Sequence, residues 1–118
     1  MAKFLFVLSR GMDDPVRATR CIHLAKVAQE EGHEVNVFLI DDGVMVARIG
    51  MADNMKSPTG DELKPLLDLL IKAKVPIYVC TPCANARHMG EEDLIASAKF
   101  EKAKMLIALA AESKVFTF

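Results

Sequence analysis

Three apolar runs constrain the fold more than any other feature of the chain. "KFLFVLS" (residues 3–9), "EVNVFLI" (34–40) and "PIYVC" (76–80) are largely continuous rather than alternating, and rich in β-branched and aromatic side chains. A strand carries apolar residues on both faces where both faces are covered, as in a parallel sheet between helices. The segments between them have helical spacing. Asp14 suits an N-cap and Pro15 the first helical turn. Ala18, Cys21, Ile22, Ala25 and Ala28 then recur on one face, and Gly32 ends the helix. In "GDELKPLLDLLIKAKV", Leu63, Leu66, Leu67, Leu70 and Ile71 form a second apolar stripe, with Pro65 close enough to the start to be tolerated.

The remainder follows the same alternation. "DDG" breaks the second strand, and residues 43–59 read as a short helix followed by a loop. "GEEDLI" opens with acids, as the first turn of a short helix prefers. "SAKF" is a short fourth strand, "EKAKMLIALAAE" a helix, and "KVFTF" (114–118) a fifth strand. Strands alternating with helices predict an α/β fold: one domain over 1–118, with a doubly wound, mainly parallel five-stranded sheet and helices on both faces in a flavodoxin-like layout. Met45, Met51 and Met55, beside Val44, Val46 and Ile49, are expected partly in the core and partly in a contact patch for another subunit.

Composition narrows the function. A formal net charge of −1, 6% aromatic residues and no Trp provide neither the basic excess nor the stacking platforms of a nucleic-acid binder. No apolar run approaches the ~20 residues that cross a bilayer, and "MAKFLFVLSRG" reads as a first strand rather than a signal peptide. Three cysteines do not pair off into a secreted disulfide framework, so a reducing cytoplasm is the expected setting.

In an open parallel sheet, chemistry collects beyond the carboxyl ends of the strands. Three segments qualify: "SRGMDD", "DDGV" and "CTPCANARH". In the last, Thr81 reads as an N-cap and Pro82 as the first helical residue, which places Cys83 in the first turn, where a thiolate is favoured. Arg87, one turn on, is expected to reach back toward Cys83, and Cys80 lies close enough to react with it. One CxxC pair without a second gives no zinc set; His88 would have to fold back, Cys21 belongs to the apolar face of the first helix, His33 is expected at the surface, and His23 shows no partner. No metal and no cofactor are expected. "CTPC" is similar to a disulfide oxidoreductase site, but a thioredoxin-like domain carries its pair early and follows it with an antiparallel hairpin. Ser9, Arg10, Asp41 and Asp42 form an alternative small-ligand site at the sheet edge; there is no GxGxxG or Walker loop.

The segments "FLFVLSRGMDDPVRATR", "GHEVNVFLIDDGV" and above all "YVCTPCANAR" resemble the DsrE/DsrF-like family, which includes TusD-type and YchN-type sulfur-relay subunits, over nearly the whole chain. The resemblance implies a small α/β fold, homo-oligomers that are commonly trimers or hexamers, and persulfide chemistry with donor and acceptor proteins as partners. Cys80 matches the sulfur-carrying cysteine of TusD-like members, Cys83 the second cysteine of CxxC members, and Arg87 the Arg after that segment. Many relatives place Gly directly after that Arg; here "RHMG" inserts two residues. The expected function is sulfur transfer by a persulfide carrier whose reactive cysteine sits at the end of the third strand. A non-catalytic ligand-binding module and a thiol–disulfide redox sensor are the alternatives.

Overall fold

The computed structural model describes residues 1–118. Its five strands are β1 (Lys3–Leu8), β2 (Glu34–Leu39), β3 (Ile77–Cys80), β4 (Ala98–Glu101) and β5 (Lys114–Thr117), and its four α-helices are α1 (Pro15–Glu30), α2 (Leu63–Lys72), α3 (Thr81–Ala86) and α4 (Ala103–Ala111). All pairings are parallel, in the order β4-β3-β2-β1-β5.

That order determines which face each helix covers. The steps from β1 to β4 run in one direction, so right-handed crossovers keep α1, α2 and α3 on one face; the last step returns past β1 and puts α4 on the other. The pleat of β1 matches. Phe6 and Leu8 join Ile22, Leu67 and Leu70 in the larger core, whereas Leu5 and Val7 meet Leu109 of α4 together with Phe38 and Tyr78. Burial on both faces accounts for the continuous apolar runs.

The helix ends are where local chemistry places them. Asp14 accepts the Arg17 amide at 3.1 Å, with Pro15 opening α1. At the other end Gly32 has φ +88°, its N–H donates to the Gln29 carbonyl, and the His33 N–H donates to the Ala28 carbonyl, a Schellman arrangement.

Several local expectations differ. The segment after β2 forms two 3₁₀ turns, Asp41–Ala47 and Met51–Asn54, folded against the core. Val44, Val46, Ala47 and Met55 are buried and Met45 and Met51 half-buried, so the methionine-rich stretch is core lining; only Ile49 of that group is well exposed. Exposed apolar side chains also include Ile107 of α4 and Val115 and Phe116 of β5, an edge strand exposed along its length. His33 is half-buried, accepting the Ala2 amide at 2.9 Å and packing edge-on to Phe4. His23 does have a partner, the Arg20 guanidinium at 2.8 Å.

Candidate functional site

The carboxyl ends of β1, β2 and β3 bring the three expected loops together, and two glycines let them touch. A Cβ on Gly43 would lie 2.1 Å from the Leu8 carbonyl oxygen, and one on Gly11 would lie 2.5 Å from that of Asp42. Only glycine permits backbones this close. The sequence signal was faint: both glycines stand in turns beyond a strand end, where Gly is also the ordinary turn residue.

Beside this junction β3 runs straight into α3. Cys80 occupies the cap position and Thr81 is already helical, one residue earlier than the N-cap reading of Thr81. The Thr81 hydroxyl is used elsewhere, donating to the Glu101 carbonyl at 2.9 Å and tying α3 to the end of β4. A side chain that bonds to a neighbouring strand is not free to cap its own helix.

The register places Cys80 and Cys83 side by side, with their sulfurs 2.7 Å apart; both are free thiols and partly exposed. Asp41, at φ +48°, turns the chain at the end of β2, and its backbone N–H donates to the Cys83 sulfur at 3.2 Å. Asp is one of the few non-glycine residues that adopt this conformation readily. The Asp41 carboxylate lies 3.9 Å from the same sulfur. The loop thus presents to Cys83 both a backbone hydrogen-bond donor and a carboxylate oxygen.

Arg87 does not reach the thiol. Its Nε and Nη2 donate to Asp42 Oδ1 at 3.3 and 2.8 Å, and its Nη1 donates to the Cys83 backbone carbonyl at 3.0 Å. Hydrogen bonding to Asp42 and its charge raise the Arg87 pKa further, so the guanidinium stays charged and committed. It clamps the Asp41–Asp42 turn to α3 and so holds the Asp41 amide over Cys83.

The two thiols differ in surroundings. Cys80 packs against the cores on both sides of the sheet. Burial pushes its thiol pKa up, the Cys83 thiol adds to this, and the Cys83 backbone amide opposes it. Cys21 is fully buried in α1, and burial raises its pKa strongly; it is core. His88 is exposed at φ +56°, and the His, Cys, Asp and Glu side chains form no group of three suited to a metal.

The alternative ligand set is not assembled. Ser9 donates its hydroxyl to the Phe118 carbonyl at 2.7 Å, and Arg10 pairs with Asp13 at 3.0 Å. The Gly11 N–H, then Arg10, hold the Asp13 carboxyl below the usual carboxylate range. Asp41 faces Cys83 instead, and Asp42 is paired with Arg87. The largest cavity, about 450 Å³, lies away from the cysteines, between α2 and the loop that carries Leu94 and Ile95.

The model of the DsrE/DsrF-like family matches residues 2–118. The chain is 37% identical over 120 residues to the uncharacterized protein MJ0989 of Methanocaldococcus jannaschii, covering 98% of this chain and 99% of that one. It is 32% identical over 110 residues to the uncharacterized protein MK0008 of Methanopyrus kandleri, covering 91% and 85%. Among solved structures, the ychN protein of E. coli superposes with a TM-score of 0.84 at 22% identity, over 100% of both chains. MTH1491 of Methanobacterium thermoautotrophicum does so at 0.77 and 15%, again over 100% of both. These two likenesses establish the fold, and the family match establishes membership: the chain belongs to the DsrE/DsrF-like family.

Proposed function

We propose that this chain is a sulfur-transfer protein that carries a sulfane sulfur as a cysteine persulfide at Cys80 or Cys83 and passes it to an acceptor protein. The observation that supports this best is the contact between two free, partly exposed sulfurs, one of them hydrogen-bonded to a backbone amide. A thiol that attacks a donor sulfur must ionise, and one that hands sulfur on must be reachable by another protein. An open position beyond the strand ends suits exchange between proteins better than enclosure of a small molecule.

Loading is trans-persulfidation. The cysteine thiolate attacks the terminal sulfur of a donor persulfide, R–S–SH; the new S–S bond forms as the donor's S–S bond breaks, and the donor leaves as a thiolate. Transfer onward repeats the exchange with an acceptor thiolate. Free thiols of this kind belong in a reducing compartment, so the proposed setting is the cytoplasm. The proposed assembly is a homo-oligomer, trimer or hexamer, of the unit 1–118, supported by the exposed Ile107, Val115 and Phe116.

The adjacent sulfurs also favour a second reading, a thiol–disulfide redox sensor. One experiment separates the two. The reduced protein, its Cys80→Ser variant and its Cys83→Ser variant are incubated with a cysteine desulfurase and cysteine, then examined by intact and peptide mass spectrometry. Sulfur transfer predicts the gain of one sulfur atom on a mapped cysteine, lost when that cysteine is replaced. A disulfide with no added sulfur, under conditions that load an established carrier, would favour the sensor.

A further inference from the structure

We infer that Cys83, rather than Cys80, is the sulfur-accepting nucleophile, and that Cys80 is the resolving thiol that discharges it. The inference rests on the sulfur-transfer reading above and assigns roles within that pair. Two independent features carry it. The first is the hydrogen bond from the Asp41 N–H to the Cys83 sulfur at 3.2 Å, held in place by a left-handed turn at Asp41 and by the Arg87 bridge from Asp42 to the Cys83 carbonyl. A fixed amide donor stabilises negative charge on the sulfur it faces. The second is packing. Cys80 is lodged against the apolar groups on both sides of the sheet, whereas Cys83 packs against one of them only and stands on its other side over the polar Asp41–Asp42 turn, so a charge is less well solvated on Cys80.

The roles follow as balanced steps. The Cys83 thiolate attacks the terminal sulfur of a donor persulfide, the donor thiolate departs, and Cys83–S–SH results without net oxidation. Where no acceptor takes that sulfur, Cys80, in contact with Cys83, gives up its proton and attacks Cys83 Sγ. The Cys80–Cys83 disulfide forms, the bond to the outer sulfur breaks, and hydrosulfide leaves and takes the proton as hydrogen sulfide. The two cysteines lose the two electrons that the sulfane sulfur gains. A dithiol reductant then restores both thiols.

The test begins with the wild-type chain, so it does not depend on a variant folding. Under reducing conditions at neutral pH, limiting iodoacetamide followed by peptide mapping is expected to label Cys83 at least about tenfold faster than Cys80, given how steeply thiol reactivity follows thiolate fraction. Labelling of Cys80 at an equal or higher rate would overturn the assignment. Replacing Asp41 with Asn keeps the amide and tolerates the left-handed turn but removes the carboxylate. At ~4 Å in a water-like dielectric, that is expected to speed Cys83 labelling about fivefold. No change at all would show that the Asp41 carboxylate does not act on the Cys83 sulfur.

The second arm uses inorganic polysulfide as the sulfur source. Cys80→Ser is expected to keep a lasting persulfide on Cys83, the wild type to convert its persulfide into the internal disulfide with release of sulfide, and Cys83→Ser to load poorly. A Cys83→Ser variant that loads Cys80 as well as the wild type would overturn the assignment yet leave the sulfur-transfer reading intact. Preferential labelling of Cys83 with no sulfur taken up by any form would do the reverse: the nucleophile would be confirmed and the carrier role lost.

Discussion

Replacing Gly43 with Ala tests whether the fold and the site are coupled as their geometry requires. The new Cβ would meet the Leu8 carbonyl oxygen at 2.1 Å and the carbonyl carbon at 2.8 Å. An unstrained carbon–oxygen contact needs about 3.3 Å, so one backbone must move by roughly 1 Å. The Leu8 oxygen already accepts the Ile40 N–H at 2.9 Å, and that bond lies directly before the Asp41 turn. Overpacking costs about 1–3 kcal/mol and the weakened backbone bond about 1 kcal/mol. The lower entropy of an unfolded alanine offsets about 0.4–1 kcal/mol.

The expected loss is about 2–3 kcal/mol. At about 2.1 cal/mol/K per residue, unfolding 118 residues has an entropy near 0.25 kcal/mol/K, so Tm falls by about 10 °C. The same shift carries the Asp41 amide away from Cys83 and slows iodoacetamide labelling of that thiol. Gly60→Ala is the control: φ is +95° there but nothing lies within 4 Å of the added Cβ, so it costs only local strain of about 1–2 kcal/mol and leaves labelling alone. A Gly43→Ala protein melting within about 3 °C of the wild type would refute the steric argument. One that melts early but labels normally would refute the coupling of turn to thiol.

Other perturbations probe separate contacts. Cys21 is fully buried and its pKa is raised above the ordinary 9.0; the unfolded thiol therefore ionises at alkaline pH while the folded one does not. This stabilisation is complete below about pH 9 and lost as pH rises, by about 1.4 kcal/mol per unit. Under reducing conditions the fall in Tm between pH 8 and 10.5 should be shallower in Cys21→Ala; equal slopes would contradict the burial argument. Thr81→Val leaves the Glu101 carbonyl without its 2.9 Å donor and is expected to cost about 1 kcal/mol in denaturant unfolding, with Thr81→Ser close to the wild type; equal losses would point to the methyl group instead. Arg87→Lys retains charge but cannot span Asp42 and the Cys83 carbonyl together. It is expected to lose up to about 1 kcal/mol, the scale of a half-exposed ion pair, and to slow Cys83 labelling nearly as much as Arg87→Ala; full retention of labelling by Lys would show that charge alone suffices.

Much of this was legible from residue patterns because burial on both faces leaves a plain mark. The apolar runs at β1, β2 and β3 and the Asp14, Pro15 and Gly32 signals of α1 read correctly because each reports a local requirement. The site was legible as far as the neighbourhood of Cys80, Cys83 and Arg87, which lie within a few residues of one another. The partner of Arg87 was not. Asp42 is distant in sequence, and no local rule ranks it above the Cys83 thiol as the guanidinium's target. Asp41 was read for its carboxylate, whereas its backbone N–H is what meets the sulfur, and backbone direction at a left-handed turn carries almost no side-chain signature. The methionine-rich segment was legible in part: some of it was expected in the core, where Val44, Val46 and Met55 lie, but 3₁₀ turns have no apolar period long enough to say which of its residues those are.

The position of the cysteines also bears on the proposed exchange with other proteins. In open parallel sheets a small ligand settles at the crevice where the strand order reverses. Here that reversal lies at β1, between β2 and β5. The crevice beyond β1 and β5 is closed by the chain itself: Ser9 donates both its amide and its hydroxyl to the Phe118 carbonyl, at 3.0 and 2.7 Å, and the Phe118 N–H donates to Val7 at 2.9 Å. Cys80 and Cys83 stand two strands away at the end of β3, on a rim shaped by the Asp41–Asp42 turn rather than by a cleft. A site moved off the natural crevice, with its thiols partly exposed, has given up enclosure and kept access. That trade suits the proposed sulfur transfer between proteins, for which contact between surfaces would supply the exclusion of water that a pocket otherwise provides.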